Sequence, residues 1–292
     1  MLERGWDRVD FVYVSGDAYV DHPSFGMAII TRLLEANGYK VGVIAQPDWN
    51  DPESVAVFGE PRLAFLVSAG KHGLDGEPLH GARRRATRAR ARPGGEAAAS
   101  EPRCVVYGNL IRRTFKKTPL ILGGIEASLR RLAHYDYWSD KLKRSILRGF
   151  GAASCRTGMG GHSIIEIADA LNAGLAIEDL TFIDGTVYRA ASLEHVYDAV
   201  TLPSFPAMQD DKLEYARSFA VQYENSDPFT GKRLVEPYSD HEFVVQNPPA
   251  APLTQSEMDA VYRLPYARTY HPMYETAGGV PAISEVKFSL TS

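Results

Sequence analysis

The feature that most restricts the fold of this chain is the alternation of strand and helix patterns over its first 70 residues. Val9–Ser15 is an apolar run rich in β-branched and aromatic residues, which predicts a buried strand. An amphipathic helix follows, with Ser24 as its expected N-cap and Gly38 as its expected end. Lys40–Ala45 and Arg62–Ser68 predict two further strands. Strands separated by helices in this way pair in parallel through right-handed crossovers, so we expect an α/β fold.

The same pattern resumes in the middle of the chain. Val105–Thr114, Glu126–His134 and His162–Ala173 predict helices, and Pro119–Gly124 predicts a strand between the first two. Thr181–Tyr188 predicts a last strand, or a hairpin around the Asp-Gly pair within it. We therefore expect a doubly wound, mostly parallel sheet that resembles a flavodoxin-like domain. In such sheets ligands bind beyond the carboxyl ends of the strands.

Two segments break this pattern. Residues 71–103 have no apolar periodicity and carry six arginines between positions 82 and 92. One interpretation is a basic arm that neutralises nucleic-acid phosphates. A disordered insert is favoured, because no aromatic residues alternate with the arginines and the whole chain has a net charge of −4. Residues 149–157 lie where a strand is expected but are poor strand formers. A compensated frameshift in the gene across roughly residues 71–103, and a second one across 149–157, would explain them.

Composition argues against membrane, disulfide-rich and metal-binding classes. No run approaches the roughly 18 apolar residues that a membrane span requires. The N-terminus lacks the apolar core of a signal peptide, so we predict a cytoplasmic protein with no membrane partner. The two cysteines, Cys104 and Cys155, are too few for a disulfide framework, a zinc site or an iron–sulfur site. We therefore expect no metal ligands and no bound cofactor in this chain alone.

From residue 191 to residue 280 the sequence predicts a helical and extended connector. Asp210–Asn225 has the pattern of an amphipathic helix. Its apolar residues are expected to face inward: Leu213, Ala216, Phe219 and Ala220. Prolines then become frequent, and a short helix is expected at Gln255–Val261 with Thr254 as its N-cap. Tyrosines four residues apart are expected to anchor this segment: Tyr262, Tyr266, Tyr270 and Tyr274. Pro281–Ser292 predicts a short strand that opens a second domain.

Several longer motifs accompany these patterns. They are Trp6–Asp10, Ser15–Gly26, Leu120–Trp138, Tyr215–Phe219, Gln246–Pro252 and Leu264–Tyr274. Together they resemble the YgiQ-like family of radical S-adenosylmethionine (SAM) proteins. The resemblance implies an N-terminal domain with a cobalamin-binding-like fold over residues 1–190. It also implies that residues 281–292 are the first strand of a radical SAM partial barrel.

The resemblance implies a chemistry that lies beyond this chain. The complete family protein is expected to hold a 4Fe–4S cluster and SAM. It is expected to cleave SAM reductively to a 5′-deoxyadenosyl radical that acts on an unknown small-molecule substrate. The three cluster cysteines of the family, spaced C-x3-C-x2-C, are expected after Ser292. The chain is therefore expected to be an N-terminal portion that is inactive alone, with the missing C-terminal radical SAM domain as its partner.

Four residues between the first strand and its helix are candidates for cofactor binding. They are Asp17, His22, Ser24 and Gly26, which follow the carboxyl end of a parallel strand. Asp21, His22 and Gly26 are similar to the cobalamin-ligating Asp-x-His-x-x-Gly motif, but their spacing is wrong. We therefore expect the loop to be a binding edge without cobalt ligation by His22.

The second candidate group is Gly123, Gly124 and Glu126. Paired glycines after a strand let a ligand approach the backbone, although a tight turn is the alternative interpretation.

Two functional classes remain open. The first is the N-terminal module of a radical SAM enzyme, and the second is a non-catalytic α/β module that binds a ligand or a partner. A frameshifted product without function is a third possibility, and the gene sequence downstream would distinguish these cases.

Overall fold

The computed structural model describes residues 1–70, 103–137, 139–149, 154–156 and 161–287. The predicted insert at 71–103 therefore lies outside the described residues, apart from Arg103. Of the second disturbed segment, only residue 149 and residues 154–156 are described.

The strands of the described residues are numbered in chain order. They are β1 (Phe11–Ser15), β2 (Val20–Asp21), β3 (Val41–Ala45), β4 (Ala64–Ser68), β5 (Leu120–Gly123), β6 (His134–Asp136), β7 (Lys141–Lys143), β8 (Ser154–Arg156), β9 (Thr186–Ala190), β10 (Ala199–Thr201), β11 (Arg233–Ser239), β12 (Glu242–Gln246) and β13 (Thr269–Tyr270).

The α-helices of the described residues are numbered in the same way. They are α1 (Gly26–Ala36), α2 (Arg103–Thr114), α3 (Gly124–Leu129), α4 (Gly161–Asn172), α5 (Phe205–Asp210), α6 (Lys212–Glu224), α7 (Gln255–Tyr262) and α8 (Ile283–Val286).

The chain divides into two compact units. Unit 1 comprises residues 1–116 and 253–292, and unit 2 comprises residues 117–252. At the centre of unit 1, β1 pairs in parallel with β3 on one side and with β4 on the other. All residues of β1 and β4 are buried, as expected for parallel strands that are covered on both faces. This parallel sheet with its helices confirms the predicted α/β class.

The last part of the chain returns to unit 1 and packs on the loop after β1. Strand β13 pairs antiparallel with β2, and Tyr270 and Tyr274 pack in an apolar cluster with Ala18 and Val20. Gly279, at φ +77°, leaves room for this packing, since a Cβ there would lie 2.7 Å from the Tyr270 ring. Tyrosines of the predicted anchoring series therefore do hold this segment in place.

The sheet of unit 2 is mixed rather than parallel. Its order is β10–β11–β12–β9–β8–β5. The pairs β5–β8 and β10–β11 are parallel, and the other three pairs are antiparallel. The predicted last strand, Thr181–Tyr188, is observed as β9, with a turn before it rather than a hairpin. Strand β8 pairs with β9 over its three residues and with β5 over two of them, so a strand does form inside the segment whose sequence disfavours one.

The chain after residue 190 differs from the sequence prediction in two places. Residues 199–246 contribute β10, β11 and β12 to the sheet of unit 2, where an extended path was expected. Strands β11 and β12 form a hairpin that the sequence does not indicate, because Pro237 disfavours a strand there. Pro237 lies at a β-bulge, where a strand tolerates proline. Residues Ile283–Val286 form a helical turn instead of the expected strand, and residues 288–292 lie outside the described part. The predicted domain limits at residues 190 and 280 stay a prediction.

Helix α6 is present where the sequence predicts it, but it faces the other way. The four residues expected inside, Leu213, Ala216, Phe219 and Ala220, are all exposed. The one fully buried residue of this helix is Ser218, which is 1% exposed. The prediction of an inward apolar face is therefore wrong.

No helix of the described residues combines the length and the apolar character needed to cross a membrane.

Candidate functional site

The carboxyl end of β1 packs directly against the backbone that follows β4. Gly16 N donates to Ser68 O at 3.1 Å, and a Cβ on Gly16 would lie 2.0 Å from Ala69 O. Only glycine fits this approach. The Gly16 carbonyl oxygen accepts from Gln46 Nε2 and from Arg103 Nη1, each at 3.3 Å. The three parallel strands of unit 1 therefore end at one tightly bonded edge, and ligand binding there stays a prediction.

Asp17, the first candidate residue, lies at this same edge. Its backbone N–H donates to Ser15 Oγ at 3.1 Å. Its carboxylate lies against Gly70, where φ is +75° and a Cβ would come within 2.4 Å of Asp17 Cγ. Glycine at position 70 is thus required both by the backbone conformation and by the space that Asp17 occupies.

Asp21 joins the loop to the C-terminal segment of unit 1. The residue is 3% exposed. Its Oδ1 accepts from Arg32 Nε at 3.1 Å, its Oδ2 also accepts from Arg32 Nη2, and Ala267 N donates to Oδ2 at 2.8 Å. Tyr19 donates its hydroxyl to Oδ1 at 3.3 Å. Burial alone would raise the pKa of Asp21, but the bonds from Arg32, Ala267 and Tyr19 outweigh it and hold that pKa below its ordinary value.

His22 shapes the turn that leads into α1. Its Nδ1 accepts the backbone N–H of Ser24 at 3.1 Å, and its ring packs edge-on against Phe25. Ser24 is not the N-cap of α1, since Phe25 occupies that position without a side-chain bond. Burial, together with the nearby charge of Arg268, lowers the pKa of His22, so the imidazole is neutral near pH 7. Ser24 and Gly26 are exposed beside it.

In unit 2 the predicted Gly-Gly-x-Glu turn begins α3. Gly124 has φ +80°, which glycine adopts without strain. Glu126 is 0% exposed, and Arg130 Nε lies 3.7 Å from its Oε1. Arg130 Nη1 lies 2.9 Å from His134 Nε2. The three predicted residues of this group are therefore brought into one turn, and the carboxylate is placed next to an arginine.

His134 is held as a neutral imidazole. Its Nδ1 lies 3.1 Å from the Leu132 carbonyl oxygen and must donate to it, which leaves Nε2 to accept from Arg130. Burial, with a further contribution from the Arg130 charge, lowers the pKa of His134 to about 4. His134 belongs to β6 and not to the helix predicted over 126–134, because α3 ends at Leu129 and the chain turns to pair β6 with β7.

A buried carboxylate that the sequence did not single out fastens this part of unit 2. Glu236 on β11 is 0% exposed, and the backbone N–H of Ala133 donates to both of its oxygens, at 2.9 and 3.0 Å. Tyr238 donates its hydroxyl to Glu236 Oε1 at 2.7 Å and accepts from Ser145 N at 2.8 Å. Burial raises the pKa of Glu236 to about 7, although its bonds with Tyr238 and Ala133 and the nearby charge of Arg131 act in the opposite direction.

Comparisons with known proteins identify the family of this chain. A model of the Radical SAM N-terminal family matches residues 1–289. The chain belongs to the Radical SAM N-terminal family. Two curated relatives are UPF0313 proteins. The one from Clostridium botulinum is 46% identical over 295 residues, and the match covers 100% of this chain and 45% of the relative. The one from Clostridium perfringens is 47% identical over 296 residues, covering 100% of this chain and 44% of the relative.

This member of the Radical SAM N-terminal family spans about half the length of the curated relatives that it matches. No solved structure matches the chain.

The residues of this chain do not fit a 4Fe–4S cluster. A cluster that binds SAM takes three thiolates, and the sequence contains two cysteines. Cys104 is buried on α2 in unit 1, whereas Cys155 belongs to β8 in unit 2. Within the described part of the chain, no three His, Cys, Asp or Glu residues are grouped so that they could hold a metal ion.

Proposed function

We propose that this chain is the N-terminal part of an iron–sulfur protein that, when complete, cleaves SAM reductively to a 5′-deoxyadenosyl radical. The substrate of that radical is an unidentified small molecule. The observation that carries the proposal is the Radical SAM N-terminal match over residues 1–289, in a chain that spans about half the length of its relatives. Because the chain has two cysteines, the proposal assigns the cluster ligands to the other part of the complete protein. It also assigns the protein to the cytoplasm.

The residues proposed to form a cofactor or substrate site, by contact or by positioning, are those predicted from the sequence. In unit 1 they are Asp17, His22, Ser24 and Gly26, and in unit 2 they are Gly123, Gly124 and Glu126. The exposed positions Ser24 and Gly26 are the ones open to a ligand, whereas His22 shapes the turn that presents them. Glu126 is fully buried beside Arg130, so its role is to position the arginine rather than to touch the ligand.

The experiment that tests this proposal joins the chain to the unmatched part of the Clostridium botulinum UPF0313 protein. The joined protein and the chain alone are reconstituted with iron and sulfide without oxygen. After reduction with dithionite, the electron paramagnetic resonance signal and the 5′-deoxyadenosine formed from SAM are measured. The expected result is a cluster and 5′-deoxyadenosine in the joined protein and neither in the chain alone.

A matched control comes from the cysteines of this chain. The variant C104A/C155A of the joined protein is expected to keep its cluster and its SAM cleavage, since neither thiol is proposed as a ligand. Cluster loss in that variant, or a joined protein that binds a cluster without cleaving SAM, would contradict the proposal.

A second candidate function is a non-catalytic module that binds a ligand at the β1 edge. The observation in its favour is the bonded carboxyl edge of the parallel strands, with Gly16 and Gly70 both required by close packing. Titration of the chain alone with SAM and with hydroxocobalamin, followed by calorimetry, distinguishes the two candidates. Saturable binding that is lost in Ser24→Tyr but kept in the exposed control Ser226→Tyr would favour the module.

A further inference from the structure

Helix α6 carries a continuous apolar stripe on its exposed side. The stripe is formed by Leu213, Ala216, Phe219, Ala220 and Tyr223, and is called the α6 apolar face below. These residues are spaced by three and four, so they lie on one side of the helix. Leu213 is 66% exposed, Phe219 64% and Tyr223 74%, and the rings of Phe219 and Tyr223 stack with their centroids 6.5 Å apart.

The opposite side of α6 holds the helix on unit 2. Ser218 is buried there, and its Oγ accepts from Gln222 Nε2 at 3.2 Å. The hydroxyl of Tyr215 accepts the backbone N–H of Tyr135 at 3.1 Å, and its ring packs on a cluster that contains Phe205. A surface helix normally buries its apolar stripe and exposes its polar side, so α6 is inverted. Isolated exposed apolar residues are normal, but a contiguous stripe marks an interaction surface.

Side-chain hydrogen bonds fix both ends of the helix that carries the α6 apolar face. At its start, the Asp211 side chain accepts from Leu213 N at 2.8 Å. At its end, Asn225 Nδ2 donates to Val221 O at 2.9 Å, and Asp227 Oδ1 accepts from the next turn. A preformed surface loses little conformational entropy when a partner binds. The helix is therefore presented as a docking element and not as a loose segment.

The small area of the α6 apolar face favours a partner in the same polypeptide over a separate protein. A stable complex between separate proteins buries about 800 Å² on each side. The α6 apolar face lies on one side of a 13-residue helix, and two of its five residues are alanine. Such a face is too small to bury that area by itself. A partner in the same polypeptide needs less surface, because the linkage gives it a high effective concentration. The relatives supply such a partner, since this chain covers 45% of the length of one and 44% of another.

We infer that the α6 apolar face is the docking surface for the polypeptide that makes up the remaining length of the relatives. Its apolar anchors at i, i+3, i+7 and i+10 suit a groove in that polypeptide, as in other helix-in-groove contacts. The inference rests on the part of the proposed function that joins this chain to a further domain, and it is independent of SAM cleavage.

The test uses the full chain joined to the unmatched part of the Clostridium botulinum relative, with a protease site at the junction. After cleavage, size-exclusion chromatography separates the two parts, and calorimetric titration of one with the other measures their affinity, without any cluster being loaded. The expected result is a weak but saturable association, because the linkage normally supplies the effective concentration, and F219S/Y223S weakens this association about tenfold or more. The control F182S/Y197S changes two exposed aromatic residues of unit 2 outside α6 and is expected to leave the association unchanged.

A second measurement protects the test against misfolding. Hydrogen exchange of unaltered α6 is compared in the joined protein and in the chain alone, and slower exchange in the joined protein is expected. Unaltered parts that show no saturable association when titrated, or parts that associate equally well in F219S/Y223S, would overturn the inference. So would a chain that dimerises alone and becomes monomeric in F219S/Y223S, because the occupant would then be a second copy. Association without 5′-deoxyadenosine formation would remove the proposed reaction and leave the docking surface in place.

Discussion

Each unit of this protein uses a buried carboxylate to fasten a distant part of its own chain. In unit 1, Asp21 accepts the backbone N–H of Ala267, which is 246 residues away. In unit 2, Glu236 accepts the backbone N–H of Ala133, 103 residues away. Asp21 has the guanidinium of Arg32 bound to both oxygens, whereas the direct partners of Glu236 are a tyrosine hydroxyl and a backbone amide.

The consequence of this difference is the opposite direction of the two pKa shifts. The pKa of Asp21 is lowered despite burial, and the pKa of Glu236 is raised to about 7 by burial. The same structural task is therefore performed by a charged carboxylate in unit 1 and by a carboxyl group that readily takes a proton in unit 2. The two carboxyl groups should therefore change stability in opposite directions as the pH rises.

The largest effect is expected from Asp21→Asn. The change removes the charge that Arg32 binds and leaves a largely buried guanidinium without its main partner. Loss of one member of a buried ion pair costs about 3–5 kcal/mol of unfolding free energy, and chemical denaturation of unit 1 at pH 7 measures it. The control Glu214→Gln breaks the exposed pair with Arg217 and should cost less than about 1 kcal/mol. Equal effects of the two changes would mean that Asp21 is not a special anchor.

The next effect is the pH dependence caused by Glu236. Because its folded pKa, about 7, lies above the ordinary value of 4.5, the folded state holds the proton more tightly. The stability due to the protonated form is present below pH 4.5 and is lost as the pH rises through 7. The shift corresponds to about 3 kcal/mol. Glu236→Gln should remove this loss, so the difference in unfolding free energy between the two proteins should change with pH across that window. A constant difference would contradict the assignment.

His134 is expected to produce the reverse trend in the same unit. Its folded pKa, about 4, lies below the ordinary 6.5, so the stability due to the neutral imidazole is lost as the pH falls from 6.5 to 4. The size is again about 3 kcal/mol. Chemical denaturation of His134→Gln at several pH values should show that this acid-side loss is gone. The two groups oppose one another between pH 4.5 and 6.5, so the unaltered protein should vary less with pH than either variant.

A smaller difference in unfolding free energy is expected between alanine substitutions at the strand ends of the two units. Gly16→Ala forces a Cβ to within 2.0 Å of Ala69 O and should cost about 1–3 kcal/mol in denaturation midpoint analysis. Gly123→Ala changes the glycine that ends β5 in unit 2, where nothing lies within 4 Å of the new Cβ and the backbone is extended. It should therefore be nearly neutral, and a costly Gly123→Ala would mean that the end of β5 is also closely packed.

The smallest effect is expected from Tyr238→Phe. The change removes the hydroxyl that donates to Glu236 and accepts from Ser145 N, and it should cost about 1–2 kcal/mol. Loss of that donor should also move the pKa of Glu236 further upward. Tyr135→Phe is the control, because its hydroxyl binds Asp140 at the surface. If Tyr238→Phe leaves the pH profile of stability where it was, the tyrosine does not tune the carboxyl group.

The local patterns of the sequence predicted most elements of unit 1. The Thr254 cap of α7 is confirmed, with a reciprocal bond from Glu257, because capping depends on residues three apart. The strands around β1 and the helix after it are also found, since their periodicity is a local property. The N-cap prediction for Ser24 is wrong by one residue: Phe25 holds that position, and Ser24 lies in the turn bonded to His22.

The parts that could not be predicted depend on partners far along the chain. Nothing near Glu236 reveals that Ala133 binds it, and the proline beside it disguises the strand. Strand β8 forms from residues that disfavour strands, because backbone bonds to β5 and β9 do not depend on the side chains. For α6 the periodicity showed which residues share a face, but only the rest of unit 2 determines which face is buried.

The Asp21–Ala267 bond also sets an order of events during synthesis. Unit 1 is discontinuous, and all of unit 2 lies between its two segments. At about 5–20 residues per second, a ribosome needs roughly 12–50 seconds to reach Ala267 after Asp21 has been made. All of unit 2, up to residue 252, is made before Ala267, and until then the loop after β1 lacks the C-terminal segment that packs on it, and Asp21 lacks the bond from Ala267 N. Closure of unit 1 is therefore a late event of biosynthesis.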